Sequence, residues 1–433
     1  MKIVLVNVRY SPNLGDGVIA DCLEKALIDR LPGVEIVTCD LAGRADYAPG
    51  HGRARGAVLK FLGLLPDAIR KKLARLIFEA VARLRLMSFY RVRLANADLA
   101  IFGGGQLLSD ADYNFPVKIA AAAAVARALR LKFAMYSLGV GQEWSIEGGA
   151  LFREAFVNAD LVWASVRDKA SLARWERHFA GAELATPEIS IDPGVIAAEV
   201  YPAADTALLP GARRRIGLCV AAPLTLDLHT DQEIAYEMSK AALYSEIARL
   251  LIESGFDVTA FTNGAPDDEA FLKRIFNAKQ RAALSAERIE IAPRPLRPGD
   301  LVGLVRRCDG IIAHRLHANI IAYGLRIPHV GLGWDSKVEG FFREVGRERF
   351  VIPAAEVSAL RAVETLRGAL DAGIDEQSHR AVIRRANQDL DSLAVAIGDA
   401  LGIGSKDVIR RASSASVAEI HPSASARLGP IAS

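Results

Sequence analysis

Three side chains able to move a proton or grip an anion crowd one short stretch of this sequence, Ala313-His314-Arg315-Leu316-His317-Ala318-Asn319. Arginine offers a planar fork of donors suited to a carboxylate or phosphate. Histidine serves as general acid or base near neutral pH. An apolar run at 310–313 precedes the segment and a helical pattern at 316–323 follows it, so the three groups sit at the carboxyl end of a strand. That crowding favours a site, with His317 the first candidate to move a proton or hold an anion and His314 the second, over a helix start that merely carries surface histidines. The two histidines are three residues apart, but no carboxylate lies within the segment to complete a metal site, so none is expected.

Other segments that could meet a ligand also follow apolar runs. Asn13-Leu14-Gly15-Asp16 follows the first of them. Gly15 permits a tight turn, and Asp16 can cap the next helix. A helix amino terminus binds anions, so a capped turn and an anion site are equally open there. Gly103-Gly104-Gly105 lets backbone approach a ligand closely, although it lacks the dinucleotide fingerprint spacing. Gly139-Val140-Gly141 and Asp192-Pro193-Gly194 fall at comparable points. Arg167 reads as an anion clamp or as a surface arginine, with Asp168 and Ser171 capping the helix behind it. Lys337 could meet an anion and Trp334 could stack on a sugar or line the pocket, unless the loop is simply capped by Asp335. Asp110 and Asp112 match a metal-binding Asp-x-Asp pattern, but so common a pair reads better as a polar loop.

What positions these groups is an alternation of strand and helix. Apolar strands are expected at 3–8, 34–39, 99–102, 133–138, 161–164 and 189–191, with helices between them. A second series follows at 216–220, 258–261, 289–291, 310–313 and 329–332, the last expected to be the final strand. In open parallel sheets ligands bind at the carboxyl ends of strands, which is where the polar segments cluster. The domains expected are a first lobe at 1–205, a second at 206–354, helices at 355–403 and a disordered tail at 404–433. A basic insertion at 51–93 interrupts the first lobe. It carries eleven basic residues against two acidic ones, a net +9, with helical apolar spacing. It reads either as a helix packed on that lobe or as a peripheral contact with an anionic membrane.

The chain has 433 residues, too many for one ordinary core. Its formal net charge of +3 points to no particular partner. The four cysteines are scattered, as suits buried residues in a reducing compartment. There is no signal peptide pattern and no run long enough to span a bilayer, so a cytoplasmic protein is expected, with the inner membrane face open to it through 51–93. Phosphate-loop, serine-elbow and zinc-helix motifs are missing, and nothing suggests nucleic acid binding.

Taken in order, NLGD, DLAIFGGGQLL, SLGVG, SVRDKAS, IDPG and HRLHANIIAYGLRIPHVGLGWDSKVEGFF resemble the polysaccharide pyruvyl transferase family from about residue 3 to 342. The insertion and the tail lie outside the resemblance. It implies two Rossmann-like lobes in a GT-B-like arrangement with a cleft between them. It implies transfer of pyruvate from phosphoenolpyruvate to two hydroxyls of a sugar, making a cyclic ketal on a polysaccharide or a lipid-linked glycan precursor. Arg167, Arg315 and His317 would then stand at donor-binding positions, and no metal or nucleotide cofactor is required. Asn13, Gly15, Asp16, Gly104, Gly105 and Lys337 complete the expected substrate-binding set. Two rivals keep the same fold: a glycosyltransferase using a nucleotide sugar, and a non-catalytic sugar- or anion-binding protein. Removing Arg315 is expected to abolish turnover with the fold intact.

Overall fold

A computed structural model of the chain describes residues 1–48, 73, 77–110, 113–157, 159–202, 213–223, 240–278, 282, 284, 286–404 and 408. Most of the basic insertion, Asp112, residues 203–212 and 224–239 and nearly all of the tail lie outside the described residues.

Two all-parallel sheets organise the chain. The first comprises β1 (Lys2–Asn7), β2 (Glu35–Asp40), β3 (Leu99–Gly103), β4 (Lys132–Leu138), β5 (Leu161–Val166) and β6 (Glu188–Ile189), in the order β2-β1-β3-β4-β5-β6. The second comprises β7 (Arg215–Cys219), β8 (Asp257–Phe261), β9 (Ile289–Ile291), β10 (Gly310–Ala313), β11 (His329–Leu332) and β12 (Val351–Ile352), in the order β9-β8-β7-β10-β11-β12. Every residue of β3 and β10 is buried, because helices cover both faces, and this is why they read as unbroken apolar runs. The strand order reverses between β1 and β3 in one sheet and between β7 and β10 in the other. Crevices at such switch points are where open α/β sheets take ligands.

The strand at 329–332 is not the last. β12 pairs with β11 through Gly331–Val351 and Leu332–Ile352. Two residues are too short a run for an alternation to show in sequence, and an edge strand needs only one partner.

Helices connect the strands. The first lobe has α1 (Leu14–Arg30), α2 (Met87–Leu94), α3 (Asn114–Ala128), α4 (Ile146–Phe156), α5 (Lys169–His178) and the short α6 (Ala197–Val200). The second has α7 (Lys240–Glu253), α8 (Pro266–Ile275), α9 (Pro298–Arg306), α10 (Leu316–Gly324), α11 (Ser336–Glu344) and α12 (Ala359–Ala372), and α13 (Glu376–Leu401) is the last helix among the described residues. Among the described residues no helix is long and apolar enough to cross a membrane.

The described end of the basic insertion packs on the first lobe. A π-helical turn, Ala82–Leu86, leads into α2. Leu86, Tyr90 and Leu94 are buried there, and the Tyr90 hydroxyl donates to the Leu41 carbonyl at 2.7 Å.

Helix α1 is buried over most of its surface because it lies between its own sheet and the second lobe. It belongs to an apolar core that runs on into β7, β8 and β10, while a second core fills the other face of the first sheet. Close approach needs glycine. A Cβ at Gly17 would lie 2.7 Å from Pro298 Cγ at the start of α9.

Helix α13 crosses back to the first lobe. Arg30, fully buried at the end of α1, donates from Nε to Asp391 Oδ1 at 2.6 Å and from Nη2 to Asn387 Oδ1 at 2.9 Å. Asp389 Oδ2 accepts from the Ile191 amide at 2.8 Å, just beyond β6. The helices expected at 355–403 therefore divide: α12 packs on the second sheet, and α13 joins the two lobes.

Candidate active site

The two switch points face each other across the lobe boundary. The amino terminus of α1 follows β1, and the amino terminus of α10 follows β10. At Gly15 they touch. A Cβ there would come within 2.3 Å of both Cβ and Nδ1 of His317, so only glycine lets the imidazole lie against the first turn of α1. Asp16 is beside it, with His317 Nδ1 and Asp16 Oδ1 at 3.7 Å, too far for a direct hydrogen bond. Gly105 closes the other side, 3.8 Å from Asp16 Oδ1 at its would-be Cβ. Gly104 and Gly105 both have left-handed backbone, φ 79° and 83°, a turn that favours glycine and carries the chain past the end of α1.

The start of α1 differs from the sequence expectation. Asn13, and not Asp16, occupies the cap position, and Asp16 lies in the first turn. Asn13 makes no side-chain cap. Its Oδ1 accepts from Asn263 Nδ2 at 3.2 Å, across the lobe boundary, and the Leu14 amide donates to the Asn263 carbonyl at 2.8 Å. The second lobe supplies what a cap would have.

Arg167 leaves the end of β5 and turns under the loop after β4. A Cβ at Gly139 would lie 2.6 Å from its Cζ. Its Nε donates to Asp168 Oδ2 at 3.2 Å and its Nη2 to Gln106 Oε1 at 2.8 Å. Asp168 caps α5 through the Ser171 amide at 2.6 Å. Arg174 of α5 reaches across to Ser336 Oγ at 2.7 Å, bringing α11 and Lys337 alongside. Arg167 and Lys337, one from each lobe, line a common hollow with Asp168, Asp192, Leu316 and Phe341.

Electrostatics follow from burial and from these cations. Burial first, and then the charges of Arg167, Lys337 and Arg315, push the His317 pKa down to about 3. The imidazole is therefore neutral at pH 7. Burial raises Asp16 to about 6, opposed by Ser11 and by Arg44, Arg315 and Lys337. Burial likewise raises Asp192 to about 6.

The structure thus brings together Arg167, His317, Asp16, Gly15, Gly105 and Lys337, with Asn13 and Gly104 shaping the rim. Arg315 and His314 stand behind them. Arg315 Nε and Nη2 both donate to Asp268 Oδ2, at 3.0 and 2.5 Å, so its fork is held by the protein itself. The His314 ring is fully buried with Nδ1 2.7 Å from the Tyr244 hydroxyl. Trp334 is buried as well and donates from Nε1 to the His314 carbonyl at 2.6 Å. Lys337 Nζ lies 4.2 Å from the Trp334 ring centre and 2.9 Å from Asp335 Oδ2. Trp334 is therefore a platform for Lys337 and not a stacking face for a sugar. Asp110 accepts from the Ser145 amide and hydroxyl at 2.7 and 2.6 Å, fixing the start of α4. Gln106, Asp268 and Asp192 were not singled out by sequence. Gln106 and Asp268 carry no local pattern, whereas Asp192 stood within a recognised strand-end segment.

Solved structures share this architecture at low identity. A protein described as a UDP-N-acetylglucosamine 2-epimerase from Listeria monocytogenes is 14% identical over 92% of this chain and 96% of its own, with a TM-score of 0.56. The UDP-GlcNAc 2-epimerase of Neisseria meningitidis bound to UDP-GlcNAc is 11% identical over 92% and 100%, with a TM-score of 0.52. S. aureus MnaA in complex with UDP is 12% identical over 93% and 97%, with a TM-score of 0.53. These likenesses establish the fold alone, two Rossmann-like lobes in a GT-B-like arrangement. No curated protein matches the chain in sequence. The sequence profile of the family described as polysaccharide pyruvyl transferase matches residues 13–336, a span that begins at Asn13 and ends at the first residue of α11. With most of its length inside that match, and with the matched segments meeting at one interlobe hollow, the chain belongs to the polysaccharide pyruvyl transferase family and is a transferase.

Proposed function

We propose that this transferase moves the pyruvyl group of phosphoenolpyruvate onto two hydroxyls of a sugar in a polysaccharide or glycan precursor. The observation that carries the reading is the meeting of cations from both lobes, Arg167 and Lys337, at one hollow, with their charges acting on the neutral His317 and that of Lys337 also on the half-buried Asp16. A small donor bearing both carboxylate and phosphate suits such a pair. Arg315 adds positive field from behind, while Asp268 keeps it in place.

Transfer requires a proton on C3 of the donor, two C–O bonds to C2 from the acceptor, and rupture of the bond from C2 to the phosphate oxygen. Two hydroxyl protons are released; one balances C3 and the other leaves with phosphate. In this reading Asp16 and His317 handle the C3 proton. Burial and then three cations depress the basicity of His317, and an arriving anion offsets the cations' share. His314, bonded to Tyr244 behind the site, acts by positioning. Phosphoenolpyruvate carries its own leaving group, so the scheme invokes no metal or nucleotide cofactor. The reaction belongs where that donor is made, in the cytoplasm.

The test is phosphate release from phosphoenolpyruvate with methyl glycosides of galactose, glucose, mannose and N-acetylglucosamine, with the ketal methyl group followed by NMR. Release dependent on one sugar supports the reading. Binding of UDP sugars with no response to phosphoenolpyruvate would move the assignment to nucleotide-sugar chemistry.

A further inference from the structure

We propose that Asp192 is the base that takes the proton of the attacking acceptor hydroxyl. The inference rests on the reading above that the hollow is where transfer occurs.

Asp192 follows β6 as Arg167 follows β5, so neighbouring parallel strands deliver both to the same edge. It lines the hollow and is only 5% exposed. Its two oxygens do different things. Oδ1 accepts from the Gly194 amide at 2.9 Å and caps the 3-10 turn Pro193–Ile196. Oδ2 is buried and receives no hydrogen bond from any described residue. An ionised oxygen kept unpaired in a protein interior is costly, and native proteins satisfy most such atoms. Around it the wall is apolar, with Ile191, Leu316, Ile320 and Phe341.

Asp192 is not needed as a counter-ion. Arg167 is paired with Asp168 at 3.2 Å, and Lys337 with Asp335 at 2.9 Å. The remaining carboxylate at the hollow, Glu344, lies 3.4 Å from Arg385. The position is also rigid. The Ser190 amide donates to the Val166 carbonyl at 2.9 Å and the Ile191 amide to Asp389 of α13.

In the step, the first acceptor O–H bond breaks and its proton passes to Oδ2, while the freed electron pair forms the bond to donor C2 and the C2=C3 pair takes a proton held by Asp16 at C3. The second hydroxyl then forms its bond to C2 as the C2–O bond to phosphate breaks, and its proton restores Asp16. The proton on Asp192 leaves with the departing phosphate, restoring the carboxylate.

Asp192→Asn keeps the cap oxygen and loses the base. Calorimetry with phosphoenolpyruvate should give a Kd within about twofold of the unsubstituted enzyme, while kcat falls about 10²–10⁴-fold with the methyl glycoside that supports the fastest phosphate release. Asp192→Ala should regain at least about tenfold in rate on addition of formate, which a purely structural residue would not show. Turnover of Asp192→Asn within about threefold of the parent, loss of donor affinity in step with turnover, or no response of Asp192→Ala to formate overturns the assignment. If the unsubstituted enzyme neither binds phosphoenolpyruvate nor releases phosphate with any of the four glycosides, the donor reading falls and this inference with it.

Discussion

Arg315→Met separates two roles that one guanidinium plays. Asp268 is fully buried; its Oδ2 takes both donors from Arg315, and its Oδ1 takes the Ala222 amide at 2.8 Å. Methionine roughly fills the space but leaves a buried carboxylate with a single amide for company. Breaking a buried pair from one side costs about 3–5 kcal/mol, a large part of the roughly 5–15 kcal/mol that holds a domain folded. The sequence reading that Arg315 can be removed with the fold intact overlooks Asp268. Urea unfolding followed by tryptophan fluorescence suits the measurement, because Trp334 is buried against the His314 backbone in the same lobe. The single variant should unfold at markedly lower urea. Arg315→Met combined with Asp268→Asn should recover about 2 kcal/mol or more, since the stranded charge is gone. Neither should turn over. A single variant within about 1 kcal/mol of the parent, or a double variant less stable than the single, would refute the reasoning that the pair is mutually dependent.

Gly15→Ala should cost about 1–3 kcal/mol and abolish turnover, because its methyl would press on His317 across the lobe boundary; thermal unfolding and phosphate release report the two effects. Lys337→Ala should raise the Kd for phosphoenolpyruvate at least about tenfold in calorimetry, as expected for loss of a charge-assisted contact. Arg30→Met should cost about 1.5–3 kcal/mol through lost hydrogen bonds to a charged group and speed amide exchange along α13. Acid should weaken the fold. His317 and His329, depressed to about 3, and His379, to about 4, stay neutral when folded but gain protons near pH 6.5 when unfolded. Their contribution is whole above 6.5 and is lost as pH falls through those folded values. Asp16, Asp192 and Asp389, raised to about 6, act in the opposite sense: their protonated forms favour the fold below 3.8, and that contribution disappears as pH rises through 6. Urea midpoints from pH 4 to 8 give the balance, and His329→Gln should flatten the acid limb.

Much of this molecule was legible as pattern. Runs such as Leu99–Gly103 and Gly310–Ala313 announce doubly covered parallel strands, and each polar segment after a run marks a strand end. The meeting of Arg167, Lys337 and His317 was less legible, because it depends on how two sheets face each other. Direction within the His-Arg-Leu-His segment was not legible either. His314 and His317 look equivalent in sequence, yet one lies behind the strand end against Tyr244 and the other against Gly15. Tertiary partners far along the chain decide such things, including Asn263 for the start of α1 and Asp268 for Arg315. The return of α13 had no local signal, because its apolar stripe is compatible with packing on either lobe.

That return has a mechanical meaning. The polypeptide passes between the lobes once after α6 and again between α12 and α13, and α13 is then fastened to the first lobe through Arg30 and Ile191. A body tethered at a single point can swing and twist freely; one tethered at two can only pivot about the line through them. The second crossing adds a constraint on how the two lobes can turn relative to each other, and Gly15 against His317 is a contact at their boundary.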